Sequence, residues 1–235
     1  MLVIRSLLFL LLQIIITPIF ALLALLTLPF SRLTRYQFIS QWAKMMLPIL
    51  RVVCGIHHEV KGIENLPKEP CIVLCKHQSA WETLALQEIF PPQVWVLKRE
   101  LLWIPFFGWA LALTSPIAIK RSDGKGAMKQ LLKQGKERLA QGFCVVIFPE
   151  GTRIPYGKRG KYKIGGALLA ASSGLPVVPV AHNAGRLWGR NAFSKHPGLV
   201  TMSIGPAIPT QGRKADEINA EVEAWIENEI QQLTH

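Results

Sequence analysis

The sequence predicts an α/β protein, because six short β-rich runs alternate with helical patterns over most of its length. The runs begin at Cys71, Val94, Pro116, Cys144, Pro176 and Val200, and they read CIVLC, VWVL, PIAI, CVVIF, PVVPV and VTMSIG. Helical patterns cover residues 80–90 and 127–141, and the apolar stripe of a last helix comprises Ile218, Val222, Trp225, Ile226, Ile230 and Leu233. Since no repeat or long linker divides this part, we expect one domain over residues 57–235, preceded by a membrane-anchoring helical region over residues 1–56.

The charge and composition favour a partner that is both apolar and anionic. The 235 residues carry 27 Lys and Arg against 15 Asp and Glu, a formal net charge of +12, yet half of them are hydrophobic. This apolar content excludes a disordered polyelectrolyte. A nucleic acid would match the charge but not the long apolar terminus, so we expect an anionic lipid surface and no nucleic-acid partner.

The N-terminal segment from Leu7 to Phe30 has no charged residue and exceeds the roughly 20 residues that cross the hydrocarbon core of a bilayer. A signal peptide is the alternative, because Arg5 precedes the run. However, the apolar part of a signal peptide usually has about 7 to 15 residues, and no clear A-x-A cleavage site follows. Pro18 interrupts helical hydrogen bonding, so the segment either spans the bilayer or bends within one leaflet.

A second apolar stripe runs through residues 37–53, on the helical side shared by Phe38, Trp42, Met45, Met46, Ile49 and Val53. A helix of this kind lies at the membrane interface or packs against the globular core, and the pattern fits both. Four basic residues follow the first apolar segment, namely Arg32, Arg35, Lys44 and Arg51, and they outnumber Arg5 and the terminal amine before it. Because short basic flanks tend to stay cytoplasmic, we expect the main domain to face the cytoplasm.

The four cysteines, Cys54, Cys71, Cys75 and Cys144, show no metal-binding spacing. Cys71 and Cys75 are nearest in sequence, but an extended strand separates their Cα atoms by about 13 Å, which exceeds disulfide reach. We therefore expect buried thiols in a reducing compartment and no metal site.

A histidine follows the first β-rich run, in the order Lys76, His77, Gln78, Ser79, Ala80, Trp81, Glu82. Ligands tend to bind at the carboxyl ends of strands in open α/β sheets. If Ser79 caps the next helix, His77 lies in the loop and the Glu82 carboxylate can reach back to the imidazole from the first helical turn. The same spacing fits a capping box, in which Glu82 only accepts a backbone N–H.

A second polar segment, FPEGTR at residues 148–153, follows another strand and opens on the same sheet edge. Gly151 permits close backbone approach, Thr152 offers a hydroxyl, and Arg153 offers a planar fork for phosphate oxygens. Further cations follow other strands or the FPEGTR segment, namely Lys98, Lys120, Arg121, Lys158, Arg159, Lys161 and Lys163. Their convergence predicts a pocket for an anionic substrate, although the last four also fit a solvated loop that touches acidic headgroups.

These motifs closely resemble those of the glycerolipid acyltransferases, in particular the bacterial 1-acyl-glycerol-3-phosphate acyltransferase family. His77 and Glu82 match the family's His-x4-acid motif, residues 117–121 resemble its second motif, residues 148–153 match FPEGTR, and residues 175–180 resemble its fourth motif. The resemblance spans most of residues 60–210. Glu82 departs from the family's usual aspartate by one methylene, which changes the reach of the carboxylate towards the imidazole.

The resemblance implies a central β-sheet flanked by helices and an enzyme of phospholipid synthesis at the bacterial inner membrane. Its implied reaction moves a fatty acyl chain from an acyl-CoA or acyl-carrier-protein thioester to lysophosphatidic acid, giving phosphatidic acid without a cofactor or metal. His77 and Glu82 are implied to be catalytic, and Lys98 and Arg153 to hold the phosphate with help from Arg121. Glu150, Gly151 and Thr152 of FPEGTR complete the implied substrate-binding set.

In the expected mechanism, His77 removes a proton from the acceptor hydroxyl, Glu82 stabilises the imidazolium, and backbone amides near Gly151 are candidate oxyanion donors. A serine hydrolase is disfavoured, because the sequence has no G-x-S-x-G and Ser79 fits a cap. Two alternatives stay open. The acceptor is another lysophospholipid or a lyso-amino-acid lipid, or the protein is a noncatalytic lipid-binding membrane protein.

Overall fold

The computed structural model describes residues 1–90 and 92–233 and confirms the α/β class. In chain order the elements are α1 (Leu2–Leu25), α2 (Arg32–Cys54), β1 (Ile56–Lys61), β2 (Ile72–Cys75), α3 (Trp81–Ile89), β3 (Gln93–Lys98), α4 (Phe107–Leu113), β4 (Ile117–Ile119), α5 (Gly124–Ala140), β5 (Cys144–Ile147), α6 (Gly165–Ser173), β6 (Val177–His182), β7 (Gly198–Ile204) and α7 (Ala215–Gln232). The predicted strands correspond to β2 through β7.

The strands form one mixed sheet in the order β1-β7-β6-β2-β5-β3-β4. Strand β2 lies between β5 and β6 and is parallel to both, and β3 is parallel to β5 and β4. Strand β7 runs antiparallel to β6 and parallel to β1. The carboxyl ends of β2, β5, β3 and β4 consequently meet at one edge of the sheet, where their following loops come together.

The central strand β2 is buried on both faces because helices cover each side of the sheet. Val73 and Cys75 point into a core that contains side chains of α1, α2 and α3. Ile72 and Leu74 point the other way, into a core formed with α5, α6 and α7. The last helix buries Ile218, Val222, Ile226 and Ile230, four residues of its predicted stripe.

Three elements were absent from the sequence prediction, and each lacks a clear local pattern. Strand β1 is mostly exposed and reads IHHEVK, so it has no apolar alternation to reveal it. Helix α6 reads GGALLAASS and is apolar around nearly its whole circumference. Helix α4 has seven residues, too few for a clear helical period.

One face of the α2 helix packs against the rest of the protein, while its other side is exposed. Its buried side chains include Tyr36, Ala43, Leu47 and Leu50, whereas most of the predicted stripe is only partly buried. The packed face is therefore rotated from the predicted one, because α1 and α3 cover α2 from that direction.

Helix α1 is the one helix in residues 1–90 and 92–233 that is long and apolar enough to cross a membrane. It nevertheless lies along the domain. Ser6 Oγ accepts a hydrogen bond from the Lys195 backbone N–H at 2.9 Å. Phe9 meets Trp188 edge to face, with the ring centroids 5.8 Å apart. Nearer the other end of α1, Phe20 stacks on Phe38 of α2 at 5.1 Å. Both ends of α1 are thus attached to the protein.

Candidate active site

The His77 side chain lies at the carboxyl end of β2 and is paired with Glu82. Its Nδ1 atom is 2.7 Å from Glu82 Oε1. The Glu82 side chain is fully buried, and that of His77 is 15% exposed. Since a carboxylate accepts only, Nδ1 carries the proton in this contact, and Nε2 is the ring nitrogen with a free lone pair.

The structure contains both interactions that the sequence allows for Glu82: a contact with the His77 imidazole and a hydrogen bond from the Ser79 backbone N–H. The Ser79 N–H donates to the two Glu82 carboxylate oxygens at 2.9 and 3.1 Å, and the Gln78 N–H donates to Oε1 at 3.1 Å. Ser79 Oγ accepts from the Trp81 N–H at 3.1 Å. It does so from one residue before the expected place, because α3 begins at Trp81 and Ala80 occupies its N-cap position. Glu82 therefore joins the backbone turn to the imidazole.

A second histidine, His182 at the end of β6, lies beside Glu82 and was not singled out from the sequence. Its Nε2 atom is 2.9 Å from the Lys76 carbonyl oxygen and 3.7 Å from Glu82 Oε2. The Ala184 N–H donates to its Nδ1 atom at 3.2 Å. These partners define a neutral imidazole that carries its proton on Nε2.

Burial and neighbouring groups shift the pKa values of Glu82 and His182. Burial alone would raise the pKa of Glu82, but His182, His77 and the Ser79 amide together hold it below its usual value. Burial lowers the pKa of His182, and the nearby Glu82 carboxylate opposes that change. The Glu82 carboxylate thus lies between the side chains of His77 and His182.

An aromatic row supports the other side of His77. Phe148 lies parallel to the imidazole, with the ring centroids 3.8 Å apart and the planes at 11°. Trp95 of β3 stacks on the far face of this row, 5.6 Å from Phe148. The first residue of FPEGTR therefore fixes the plane of the imidazole, a role that the sequence pattern did not reveal.

Glu150, a predicted substrate-binding residue, is 4% exposed and contacts protein groups. Its Oε2 atom accepts the His77 backbone N–H at 3.0 Å, and its Oε1 atom is 2.8 Å from Lys76 Nζ. Burial raises the pKa of Glu150, and the Lys76 ammonium opposes this shift. These contacts join FPEGTR to the segment that carries His77.

The remainder of FPEGTR lies beside His77. The Ile154 N–H donates to the His77 carbonyl oxygen at 2.7 Å, which places Arg153 directly next to the histidine segment. Gly151 has a φ of +68°, a left-handed backbone conformation that favours glycine. The Gly151 N–H donates to Phe148 O within the turn and is not a free oxyanion donor. Thr152 is exposed.

The predicted cations at the other strand ends surround this segment. Arg121, after β4, donates through Nη1 to the carbonyl oxygen of Gly151. Burial lowers the pKa of Arg121, an effect that Glu100 opposes. Lys98 is exposed at the end of β3, and Lys120 is exposed at the end of β4. Because β3 and β4 follow β5 in the sheet, these cations lie along the same edge as His77.

A cavity of about 170 Å³ opens beside Phe148 and Gly151, between the sheet and helices α5 and α6. Its apolar lining includes Val96, Ile119, Met128, Leu131 and Ile147. Arg121 and Lys163 are its charged lining residues. The cavity thus combines an apolar interior with cations next to the histidine segment.

Within the described ranges, no group of three or more His, Cys, Asp or Glu residues is arranged to hold a metal ion. All four cysteines are free thiols, and Cys144 is the least buried of them. Cys71 and Cys144 lie on the neighbouring strands β2 and β5, with their Sγ atoms 3.6 Å apart. The sequence did not reveal this proximity, because 73 residues separate the two cysteines.

Comparison with known proteins shows the family of this chain. A family model described as Acyltransferase matches residues 57–183, which include His77, Glu82 and Arg153. The 1-acyl-sn-glycerol-3-phosphate acyltransferase of Pseudomonas aeruginosa is 51% identical over 211 residues, covering 88% of this chain and 81% of the relative. The human alpha enzyme of the same name is 30% identical over 180 residues, covering 75% of this chain and 64% of the relative.

Among solved structures, the 1-acyl-sn-glycerophosphate (LPA) acyltransferase PlsC of Thermotoga maritima has the same fold. It superposes with a TM-score of 0.82 at 22% identity, covering 99% of this chain and 96% of that one. The structural likeness establishes the fold, while the family match and the 51% identity establish the kinship. This chain therefore belongs to the acyltransferase family.

Proposed function

We propose that this protein transfers a fatty acyl group from an acyl thioester to the free hydroxyl of 1-acyl-glycerol 3-phosphate, giving phosphatidic acid. The observation that carries the proposal is the His77–Glu82 pair, held at 2.7 Å beside Arg153 at one sheet edge. The names of the Pseudomonas and human relatives support this acceptor.

In the proposed reaction, His77 acts as a general base through Nε2, because Nδ1 is engaged with Glu82. Nε2 takes the proton of the acceptor hydroxyl while its oxygen attacks the thioester carbonyl carbon. The tetrahedral intermediate then collapses, the carbon–sulfur bond breaks, and the imidazolium returns the proton to the thiolate. Glu82 stabilises the imidazolium, and base assistance of this kind contributes about 10²- to 10⁴-fold.

Binding of the acceptor phosphate is assigned to Arg153 and Lys98, with Arg121 in support. Arg153 is adjacent to the Ile154 amide that bonds to the His77 carbonyl, so its backbone lies beside the segment that carries the base. Arg121 bonds to Gly151 and keeps the FPEGTR turn in place. Glu150 is internal and acts in the proposal by positioning Lys76 and His77. Gly151 lines the cavity, and the exposed Thr152 follows it in the chain. The apolar cavity beside Phe148 suits an acyl chain.

The proposed acyl donor is a CoA or acyl-carrier-protein thioester. The proposed chemistry uses neither a cofactor nor a metal, since His77 supplies the base. Donor identity depends on surfaces beyond the reacting atoms, so the assay must include both donors.

The proposed location is the bacterial inner membrane, with the catalytic domain on the cytoplasmic side. Helix α1 exposes many large apolar residues to the outside of the protein, as a lipid-facing helix does. Its start bonds to Lys195, and its later part stacks on α2, so both ends lie against one domain. Because Lys195 is bonded to the start of α1, an α1 helix that crossed the membrane would place Lys195 in the bilayer. We therefore favour α1 entering one leaflet alongside the domain.

The test is a radiolabelled acyl-transfer assay on the purified protein. The acceptors are lysophosphatidic acid, another lysophospholipid, a lyso-amino-acid lipid and monoacylglycerol, each with acyl-CoA and acyl-carrier-protein donors. We expect lysophosphatidic acid to be the preferred acceptor. A higher kcat/KM for another lysolipid would replace the proposed acceptor, and no transfer with any pair would overturn the enzymatic proposal.

Two variants assign the roles within that assay. His77→Ala is expected to lower kcat by about 10²- to 10⁴-fold, whereas His57→Ala, at an exposed histidine of β1, should retain activity. Arg153→Ala should raise KM for lysophosphatidic acid more than for monoacylglycerol, because only the former presents a phosphate. Equal losses with both acceptors would contradict the phosphate role of Arg153.

A further inference from the structure

We propose that Glu227, from the C-terminal helix α7, positions the FPEGTR loop against His77 through buried contacts to Lys76 and Tyr162. Glu227 lies outside the residues that match the family model, which end at 183. The inference rests on the proposed acyl-transfer function and adds a positioning residue to it. It also assigns α7 a part in holding the active site together.

The first contact joins α7 to the residue that precedes the catalytic histidine. The Lys76 side chain is completely buried, and its Nζ atom lies 2.7 Å from Glu227 Oε1 and 2.8 Å from Glu150 Oε1. A buried ammonium group is costly unless it is paired and hydrogen-bonded. Lys76 is therefore held between FPEGTR and α7, and the position of its backbone depends on both.

The second contact joins α7 to the far end of the FPEGTR loop. The Tyr162 hydroxyl donates to Glu227 Oε1 at 2.8 Å, and the tyrosine is 6% exposed. Burial raises the pKa of Tyr162, an effect that Glu150 and Glu227 reinforce, so the hydroxyl remains a donor. One carboxylate oxygen thus binds both the histidine segment and the loop.

The loop between these anchors, residues 153–163, is bonded to the protein near both of its ends. At its start, the Ile154 amide bonds to the His77 carbonyl at 2.7 Å, and near its end the Lys163 amide bonds to Pro149 O at 2.8 Å. One helical turn before Glu227, Glu223 pairs with Arg159 of the loop at 2.6 Å. Helix α7 therefore contacts the loop at two successive turns, which limits its movement relative to His77.

This arrangement links Glu227 to the placement of Arg153. Arg153 begins the loop, and its distance from His77 sets where the acceptor phosphate lies relative to the base. A misplacement of about 1 Å at a reacting centre costs as much as ~10²-fold in rate. Loss of the Glu227 contacts should consequently affect acceptor use more than donor use, since Arg153, one of the proposed phosphate ligands, belongs to this loop.

The experiment compares Glu227→Ala, Glu227→Gln and Tyr162→Phe with Glu221→Ala as the matched control. Glu221 is exposed on α7 and pairs with Arg213 at 2.7 Å, away from the loop. For Glu227→Ala we expect kcat/KM for lysophosphatidic acid to fall by about tenfold or more, with KM for the acyl thioester within about twofold. Glu227→Gln should recover most of the loss, because its amide oxygen still accepts from Lys76 and Tyr162.

A second measurement, hydrogen exchange of the full-length protein, is independent of substrate. Residues 151–163 should exchange faster in Glu227→Ala and Tyr162→Phe than in Glu221→Ala. The proposal is overturned if Glu227→Ala lowers only the melting temperature, while acceptor kinetics and loop exchange match those of the control. If the unmodified protein shows no acyl transfer, the proposed function fails, and loop exchange alone then decides whether Glu227 positions the loop.

Discussion

The imidazole of His77 stacks on the ring of Phe148, with the centroids 3.8 Å apart and the planes at 11°. Glu82 holds the same imidazole at its edge through Nδ1, at 2.7 Å. The stacked ring and the carboxylate together restrict rotation of the His77 side chain, so Nε2 has one direction of approach. A base that is fixed before substrate binds avoids part of the ordering cost at the transition state.

Phe148→Leu tests the contribution of this stacking. Leucine keeps the position apolar but removes the flat ring under the imidazole. We expect kcat to fall by about 10- to 100-fold, because a more mobile base is less often aligned. Steady-state kinetics at saturating substrate would measure this change. Trp95→Phe, which keeps a ring next in the row, is the matched control, and an equal loss in both variants would argue against a specific role for Phe148.

Substitutions of Glu82 separate its charge from its reach. Glu82→Gln keeps an oxygen near Nδ1 but removes the charge that stabilises an imidazolium, so kcat should fall by about 10²-fold or more. Glu82→Asp keeps the charge but shortens the side chain by about 1.5 Å, one C–C bond. The aspartate variant should therefore retain more activity than the glutamine variant. Greater activity in Glu82→Gln would show that hydrogen bonding, and not charge, is the main requirement.

Membrane attachment should depend on the outward side of α1. Leu7, Leu11 and Ile14 are 45%, 46% and 57% exposed, and their spacing places them on one helical side. Changing all three to Gln should weaken binding to anionic vesicles by about tenfold or more, since burial of each large apolar side chain contributes about 1.5 to 3 kcal/mol. Vesicle sedimentation measures this binding. Activity on a dispersed short-chain acceptor should be retained.

These substitutions test the anchor more sharply than deletion of residues 1–30. Deletion also removes Ser6 and Phe9, which contact Lys195 and Trp188 of the domain, and would expose those residues. The matched control is Ile63→Gln, at an exposed apolar residue outside α1. Equal vesicle binding by the triple variant and this control would contradict the role of α1. Equal activity loss on bilayer and dispersed acceptors would likewise reject membrane access as its purpose.

Stability should fall on mild acidification because of His182. Burial keeps the pKa of His182 in the folded protein below its usual value, although Glu82 opposes the shift. As pH falls through about 6.5, the unfolded chain binds a proton that the folded chain resists, which favours unfolding by at most about 1.4 kcal/mol per pH unit. His182→Gln removes this titration and keeps a donor for the Lys76 carbonyl. Urea unfolding at pH 7.5 and 5.5 should give a smaller pH dependence for the variant, and an unchanged dependence would exclude His182 as its source.

The features predicted most successfully from the sequence are local ones. His77 and Glu82 are five residues apart, so one strand end and one helical turn suffice to bring them together. The six β-rich runs became β2 to β7 because continuous apolar runs are typical of strands that helices cover on both faces. Strand β1 was not predicted. It pairs with β7, more than 130 residues later in the chain, and such a pairing leaves no local pattern in the sequence.

The sequence alone determined the α/β class, the long apolar helix at the start and the polar residues that follow the strands. Only the tertiary structure decided that Lys76 meets Glu227, that His182 lies beside Glu82, and that Cys71 faces Cys144. The physical reason is that residue periodicity reports which side of an element is buried, whereas contacts between distant segments depend on strand order. Here β2 lies between β5 and β6, which places the residues after these three strands around one histidine.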